Sequence, residues 1–555
     1  MLARGGRLYR TVRPLRAVQL YGRVMFRVAR PKPDMAPTPL RGAVPGSLLP
    51  VARRKPSLIA PGVFETLNTR CDVALSGWDD PALPKLLRYN LHYFDDLNAE
   101  GSAARSDWHR SLITRWIAEN PPTSGSGWEP YPTSLRLVNW IKWDLCGNNM
   151  LDDAAVASLA VQARWLMQRL EWHLLGNHLF VNAKALVFAG LFFEGEEARK
   201  WLEQGMVILA REVPEQILPD GGQFELSPMY HALAVEDMLD LANIAQCFDA
   251  RLSSTHRSFF EAWRARIPAM LHWLRAMSHP DARIGFFNDA AFGIAPENAA
   301  LLAYGARLGP PESDPIAPMC YLESSGYARL QKGAAVVLAD VASVGPTYLP
   351  AHAHADTLSF EMSLHGARLI VNGGTSVYGA DAERHRQRGT AAHSTLGLNG
   401  ENSSEVWGGF RVGRRARVSE VTCRSTPDAL RLAAQHDGYT HMPGRPVHHR
   451  AWELRDDRLI VIDTVRGTGA HSADIRFHLA PGITARTDAT GGVDLIAADG
   501  QALSALNVSR PGQLHIEAGS WHPEFGCSEY NTCLRLHLSG NAPFSVETVI
   551  VWSNP

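Results

Sequence analysis

Apolar residues recur every three or four positions through the first half of this chain and in short alternating runs through the second. Val156, Leu159, Ala160, Ala163, Met167 and Leu170 mark one face of a helix. Similar patterns over 108–118, 134–146, 196–212, 231–248, 258–277 and 297–308 predict further helices, separated by short loops containing Gly or Pro. Consecutive helices on short loops pack as antiparallel pairs, in a bundle, a solenoid or a closed toroid. Periodicity does not choose among these. The segment Gly309-Pro310-Pro311-Glu312-Ser313-Asp314-Pro315-Ile316-Ala317-Pro318 reads as a linker. Beyond it the period shortens. Ala334–Asp340 predicts a buried strand, and Trp452–Arg455, the turn Asp456-Asp457 and Arg458–Ile462 predict a hairpin. The expectation is an α+β chain of three parts: an arm over 1–55, a helical domain over 56–315 and an antiparallel β-sandwich over 316–555.

Composition narrows this picture. The 555 residues are too many for one ordinary core, and 45% hydrophobic with 20% charged residues is a globular balance. A net charge of -1 gives no case for nucleic acid. The charge is nevertheless uneven, because residues 1–55 carry 13 Lys or Arg and one acid, Asp34. Such an arm either packs on an acidic surface or meets an anionic partner such as lipid or an acidic polymer. Arginines interrupt it too often for a secretory signal, and no run of roughly 20 apolar residues predicts a membrane span. A soluble protein is expected, with the cytoplasm favoured over the periplasm. The oligomeric state is open. Seven scattered cysteines predict reduced thiols and no disulfide framework.

Candidate chemistry gathers in a few segments. His352-Ala353-His354-Ala355-Asp356 would put two imidazoles and a carboxylate on one face of a strand. Imidazoles titrate near neutrality and bind metals, so this is a base or metal candidate, or a hydrogen-bonded histidine cluster. Asp356 could be a ligand, an orienting group or a cap. His393 follows in a Thr- and Ser-rich stretch. Asn177-His178 sits between helical segments, either as a cap and a core histidine or as an amide–imidazole pair for a carboxylate. Tyr230 precedes a helix, as a packing residue or as a proton donor. Trp128, Tyr131, Arg136, Arg388, Glu405 and Trp407 are candidates to line a sugar cleft, since aromatics stack on sugar rings and arginines pair with carboxylate or sulfate.

The order Asn177-His178, Tyr230, His352-x-His354-x-Asp356, His393, on helices followed by strands, resembles the heparinase II/III-like polysaccharide lyase superfamily. Leu87–Phe94 and the stretch Asn402–Phe410 add to the resemblance, which covers roughly residues 10–550 and points to the broad-specificity glycosaminoglycan and alginate lyase branch. It implies an (α/α) toroid joined to an antiparallel β-sandwich, and β-elimination at a uronic acid in an acidic polysaccharide. It further implies that Asn177 and His178 hold the uronate carboxylate, that Tyr230 protonates the leaving oxygen, and that His352 is a base or brace. His354, Asn372 and His393 match the family's metal positions, for a single structural zinc or manganese ion, with no organic cofactor. Asn372 stands where relatives commonly carry Asp, and a neutral amide is the weaker ligand. Two other readings remain. A glycoside hydrolase would need a carboxylate pair, for which Asp220, Glu225 and Glu236 are available. A non-catalytic polysaccharide-binding or assembly protein would bind without turnover.

Overall fold

The computed structural model describes residues 2–147, 149–309, 315–488, 491–509 and 513–553. Residues 310–314 of the expected linker lie outside the described residues. The first half is a row of helices: Ser106–Glu119, Pro130–Gly147, Asp153–Gln168, Gly176–Phe192, Glu196–Gln216, Pro228–Cys247, Ser254–Arg264, Ile267–Ala276 and Asn298–Arg307. The expected helix over 258–277 is two helices, broken at Ala265 and Arg266. Pro268 stands in the first turn of the second, where its missing N–H costs nothing but where a continuous helix could not pass. Side-chain caps start several of these helices, with Asp152, Ser227 and Ser253 accepting from the backbone N–H groups of Ala155, Tyr230 and His256.

Gly176–Phe192 is apolar all round and buried along nearly its whole length, as expected of a helix wrapped by others. It packs on the helices before and after it, and it approaches Glu196–Gln216 closely: a Cβ on Gly190 would stand 2.5 Å from the Leu202 nitrogen. A buried ion cluster ties this layer together. Lys142 and Lys184 both reach Asp240 Oδ2, at 3.0 and 2.6 Å, and Tyr304 donates to Oδ1 at 3.1 Å. Burial would raise the Asp240 carboxyl, but the two ammonium groups outweigh it and bring it to about 2.

The second half holds two large antiparallel sheets and a two-stranded ribbon of Val406–Trp407 with Arg411–Val412. One runs from Gln513–Trp521 through Glu529–Asn541, Ala470–Leu479, Ala367–Val371, Phe360–Leu364, Ala335–Asp340 and Tyr327–Lys332 to Met319–Leu322. The other runs from Val418–Ser425 through the strands Leu430–His436, Val447–Leu454, Arg458–Arg466, Phe544–Val551, Ala502–Val508 and Val493–Ile496 to Thr484–Thr487. The expected hairpin is present, with Leu454 opposite Leu459. Burial alternates along Val447–Leu454, whereas Ala335–Asp340 is buried at every position. The sheets meet through aromatic contacts such as Phe360 on Trp452, centroids 6.4 Å apart. All seven cysteines are free thiols.

The basic arm forms the helices Leu2–Val12 and Ala17–Val28 and then extended chain. It packs on both halves. Arg10 pairs with Glu405 and Arg16 with Glu215, while Arg41 pairs with the buried Asp144 and Arg54 with Glu236.

The ion cluster makes a measurable prediction. Asp240→Asn removes the carboxylate that both buried ammonium groups share, leaving Lys184 with Asp237 at 2.8 Å and Lys142 with Glu236 at 3.9 Å, and denaturant unfolding should show a loss of about 1–3 kcal/mol.

Candidate active site

Asp289 organises this site, although no motif announced it. It is fully buried and accepts from Arg384 through both carboxylate oxygens, from His352 Nδ1 at 3.0 Å and from His354 Nε2 at 2.8 Å. Burial alone would raise this carboxyl, but the guanidinium and the imidazole donors outweigh it and hold it well below the ordinary range. Its backbone joins the same network. The Asp289 N–H donates to the His352 carbonyl at 2.9 Å, and the Asp289 carbonyl accepts from Ser227 Oγ, the cap of the helix that carries Tyr230.

The carboxylate fixes ring states. It can only accept, so His352 carries its proton on Nδ1 and His354 on Nε2. His354 Nδ1 is then the acceptor for His393 Nε2, 3.2 Å away. Burial pushes His354 down to about 4 and His393 to about 3, so both rings are neutral. The free edge of His352, Nε2, faces Glu225 Oε2 at 3.5 Å.

His352 lies against Tyr230, ring centroids 3.9 Å apart. The Tyr230 hydroxyl meets the Tyr378 hydroxyl at 3.1 Å. Burial first, then the neighbouring Tyr378 and Tyr131 phenols and the Asp289 carboxylate, raise the Tyr230 phenol well above its ordinary value, so it keeps its proton. Tyr230 shares a cleft with Tyr131, Asn177, Gln216, Gln223 and Asp237. Asn177 is not a cap: the N-cap position is Leu175, and Asn177 lies in the first turn of Gly176–Phe192. Its backbone N–H points at Glu225 Oε1, 3.3 Å away, and its side-chain amide has no hydrogen bond among the described residues. His178 stands 3.2 Å from Glu171 Oε1 and stacks near Tyr131. Burial would lower the His178 imidazole, but Glu171 outweighs it, with Glu225 and Glu129 adding, and raises it.

Backbone strain marks the approaches to these residues. Leu175, Leu226 and Asn288 have φ of 63°, 61° and 57°, each one or two residues before Asn177, Ser227 or Asp289. A left-handed non-glycine residue costs about 1–3 kcal/mol and persists where surroundings hold it. Here Leu226 is held by its carbonyl, which accepts from Tyr327 and from Asn288 Nδ2.

Several sequence expectations need correction. His352–Asp356 is an irregular loop, not a strand, and its three polar side chains do not share a face. His352 turns to Tyr230, His354 to His393, and Asp356 accepts from the Asn288 N–H at 2.8 Å. The three expected metal positions are engaged in hydrogen bonds. Asn372 donates to the Phe286 carbonyl and Ser359 Oγ and accepts from the Ser394 N–H, so its amide is spent. Among the described residues, no group of three His, Cys, Asp or Glu side chains is placed to hold an ion. His354, Asn372 and His393 are thus part of a hydrogen-bonded polar core.

Trp128, Arg136 and Arg388 are buried away from the cleft. Trp128 donates to the Asn120 carbonyl, and Arg136 is spread over the Trp116 ring and bonded to Gln162 and the Gly127 carbonyl. Arg388 ties the Ala353 carbonyl to those of Gly408 and Gly409, bracing the His352 loop. Glu405 and Trp407 hold the arm: Glu405 pairs with Arg10, and Trp407 bonds Thr11 and lies under Arg7. Of the expected lining residues, only Tyr131 is in the cleft. Asp289, Arg384, Glu171 and Tyr378 were missed. A lone acid within Phe286-Phe287-Asn288-Asp289 was the available signal, because an acid in an apolar stretch is buried only with partners.

The N-terminal segment matches the model for the heparinase II/III N-terminus over residues 109–300, and the C-terminal segment matches "Heparinase II/III-like, C-terminal" over 315–553. The two matches together cover most of the chain, which belongs to the heparinase II/III-like family. It is 29% identical over 251 residues to a heparin-sulfate lyase of Bacteroides stercoris, covering 42% of this chain and 37% of that protein. A heparin-sulfate lyase of Bacteroides thetaiotaomicron is 24% identical over 67% of this chain and 57% of that one. The matches thus span less than two thirds of these relatives' lengths. Among solved structures, heparinase III superposes with a TM-score of 0.70 at 17% identity, over 87% of this chain and 81% of that one. A mutant heparan sulfate lyase from Pedobacter heparinus gives 0.61 at 18%, over 97% and 88%. At these identities the structures show a shared fold.

The charge of His178 can be checked directly. Its ring should titrate above the usual 6.5 by NMR, and Glu171→Gln should lower that value, because burial is then opposed only by Glu225 and Glu129.

Proposed function

We propose that this protein is a polysaccharide lyase that cleaves uronic-acid-containing polysaccharide by β-elimination. One observation carries the reading: a protonated phenol, Tyr230, lies against an imidazole whose Nδ1 is held by Asp289, beside the Asn177 amide and an imidazole that Glu171 pushes toward its protonated form. That set supplies what elimination needs. The Asn177 amide and the His178 imidazolium would hold the uronate carboxylate, where charge builds as the neighbouring C5 proton leaves. His352 Nε2 takes that proton. The C5–H electrons form the C4–C5 double bond, the C4–O bond breaks, and its electron pair leaves on the glycosidic oxygen. Tyr230 gives its proton to that oxygen, and Tyr378 lies in position to pass a proton back.

The hydrolase reading loses support in the same place. Asp220 is bound to Ser325 and Glu236 to Arg54, so of the three candidate acids only Glu225 borders the site. Relatives named heparin-sulfate lyase make heparan-type glycosaminoglycan the first substrate to test, before chondroitin sulfate, hyaluronan and alginate.

Incubation with each polymer should raise ultraviolet absorbance for at least one, as conjugated uronate ends form. Tyr230→Phe should lower kcat by about 10²–10⁴ while the protein stays folded. A flat trace on every polymer, or equal rates in the variant, would count against elimination through Tyr230.

A pH dependence follows from His178. Its raised folded value means the imidazolium is fully present below the ordinary imidazole range and is lost as pH rises through the raised value. KM should therefore climb across that window with kcat less affected. In Glu171→Gln the climb should begin at lower pH.

A further inference from the structure

We propose that the two N-terminal helices dock this protein on an anionic lipid surface. The helix Ala17–Val28 is turned against the usual rule for a surface helix. Its inward face is Gln19, Gly22 and Phe26: Gln19 is buried and donates to the Tyr348 carbonyl at 3.2 Å, and the Phe26 ring lies 4.2 Å from that of His173 with the Arg169 guanidinium 3.6 Å above it. A Cβ on Gly22 would stand 3.1 Å from the His173 nitrogen, so this face is seated tightly. The outward face is apolar. Tyr21, Val24, Met25 and Val28, spaced as one helical stripe, are all exposed, and Val18 and Leu20 flank them.

The first helix repeats the pattern with exposed Leu8, Tyr9 and Val12. Of the nineteen large apolar side chains exposed among the described residues, eleven lie in the first 40. That concentration is far beyond the scattered exposure normal for a protein surface. The flanking charges are of one sign. Arg13, Arg23, Arg27, Arg30 and Lys32 are exposed and make no ion pair among the described residues, whereas Arg10 and Arg16 are paired to the body.

An apolar stripe rimmed by long cationic side chains matches the boundary of an anionic bilayer, where the stripe enters the acyl region and the cations stay at the headgroups. An acidic polysaccharide would satisfy the charges and leave the stripe wet. No described helix is long and apolar enough to cross a membrane, so the contact is with one face of the bilayer.

Vesicle flotation of the full chain tests this, using phosphatidylcholine alone and phosphatidylcholine mixed with phosphatidylglycerol at physiological salt. The protein should float with the mixed vesicles and stay behind with the neutral ones. Val24→Glu combined with Val28→Glu alters only outward side chains. It should lower the bound fraction about tenfold or more, while thermal unfolding is unchanged. Arg23→Gln combined with Arg27→Gln should weaken binding and flatten its salt dependence. Absence of flotation on both vesicles, or equal flotation of the valine variant, would overturn the proposal. So would a lipid-free dimer that the valine substitutions dissolve, since the stripe would then belong to a second copy.

Discussion

A buried carboxylate can persist only with its charge and its lone pairs answered, and Asp289 meets that demand by drawing three parts of the chain together. Its side chain holds Arg384 from the helix Ala382–Arg388 and both histidines of the 352–354 loop, all from the β half. Its carbonyl holds the cap of the helix bearing Tyr230, from the helical half. The placement of Tyr230 against His352 therefore depends on a fully buried group behind both rings. Arg388 supports the same loop from behind through the Ala353 carbonyl.

The electrostatics divide labour within a few ångströms. Burial keeps His354 and His393 neutral, so they act as a rigid hydrogen-bonded spacer. Burial and anionic neighbours also keep the Tyr230 proton in place. His178 is moved the other way, because Glu171 overrides burial. A protonated phenol and an imidazole pushed toward its charged form thus coexist within one site. The uncommitted Asn177 amide completes the set, at the start of a helix reached through the left-handed Leu175 and Gly176.

Much of the architecture was legible because period follows secondary structure. The helical stripes and the Trp452–Ile462 hairpin stand where the pattern put them, and Pro268 explains the one helix that became two. The cleft was less legible. Tyr131, Asn177 and Tyr230 do line it, but aromatic and arginine residues such as Trp128, Arg136 and Arg388 are equally suited to a buried role, and only packing distinguishes the two. Alternation suggested one face for His352, His354 and Asp356; in the loop Asp289 holds both imidazoles, His393 also meets His354, and the Asn288 N–H takes Asp356. Glu405 and Trp407 were readable as polar and aromatic but not as partners of residues almost 400 positions earlier. Long-range pairing of that kind leaves no local mark.

The central claim is that bond cleavage at this site proceeds without water. Reaction in heavy-oxygen water, followed by mass spectrometry of the fragments, addresses it most directly. Elimination predicts fragments whose masses sum to that of the parent chain, with no solvent oxygen gained at the cut. Fragments that carry one solvent oxygen at the new end would contradict the account and identify a hydrolase.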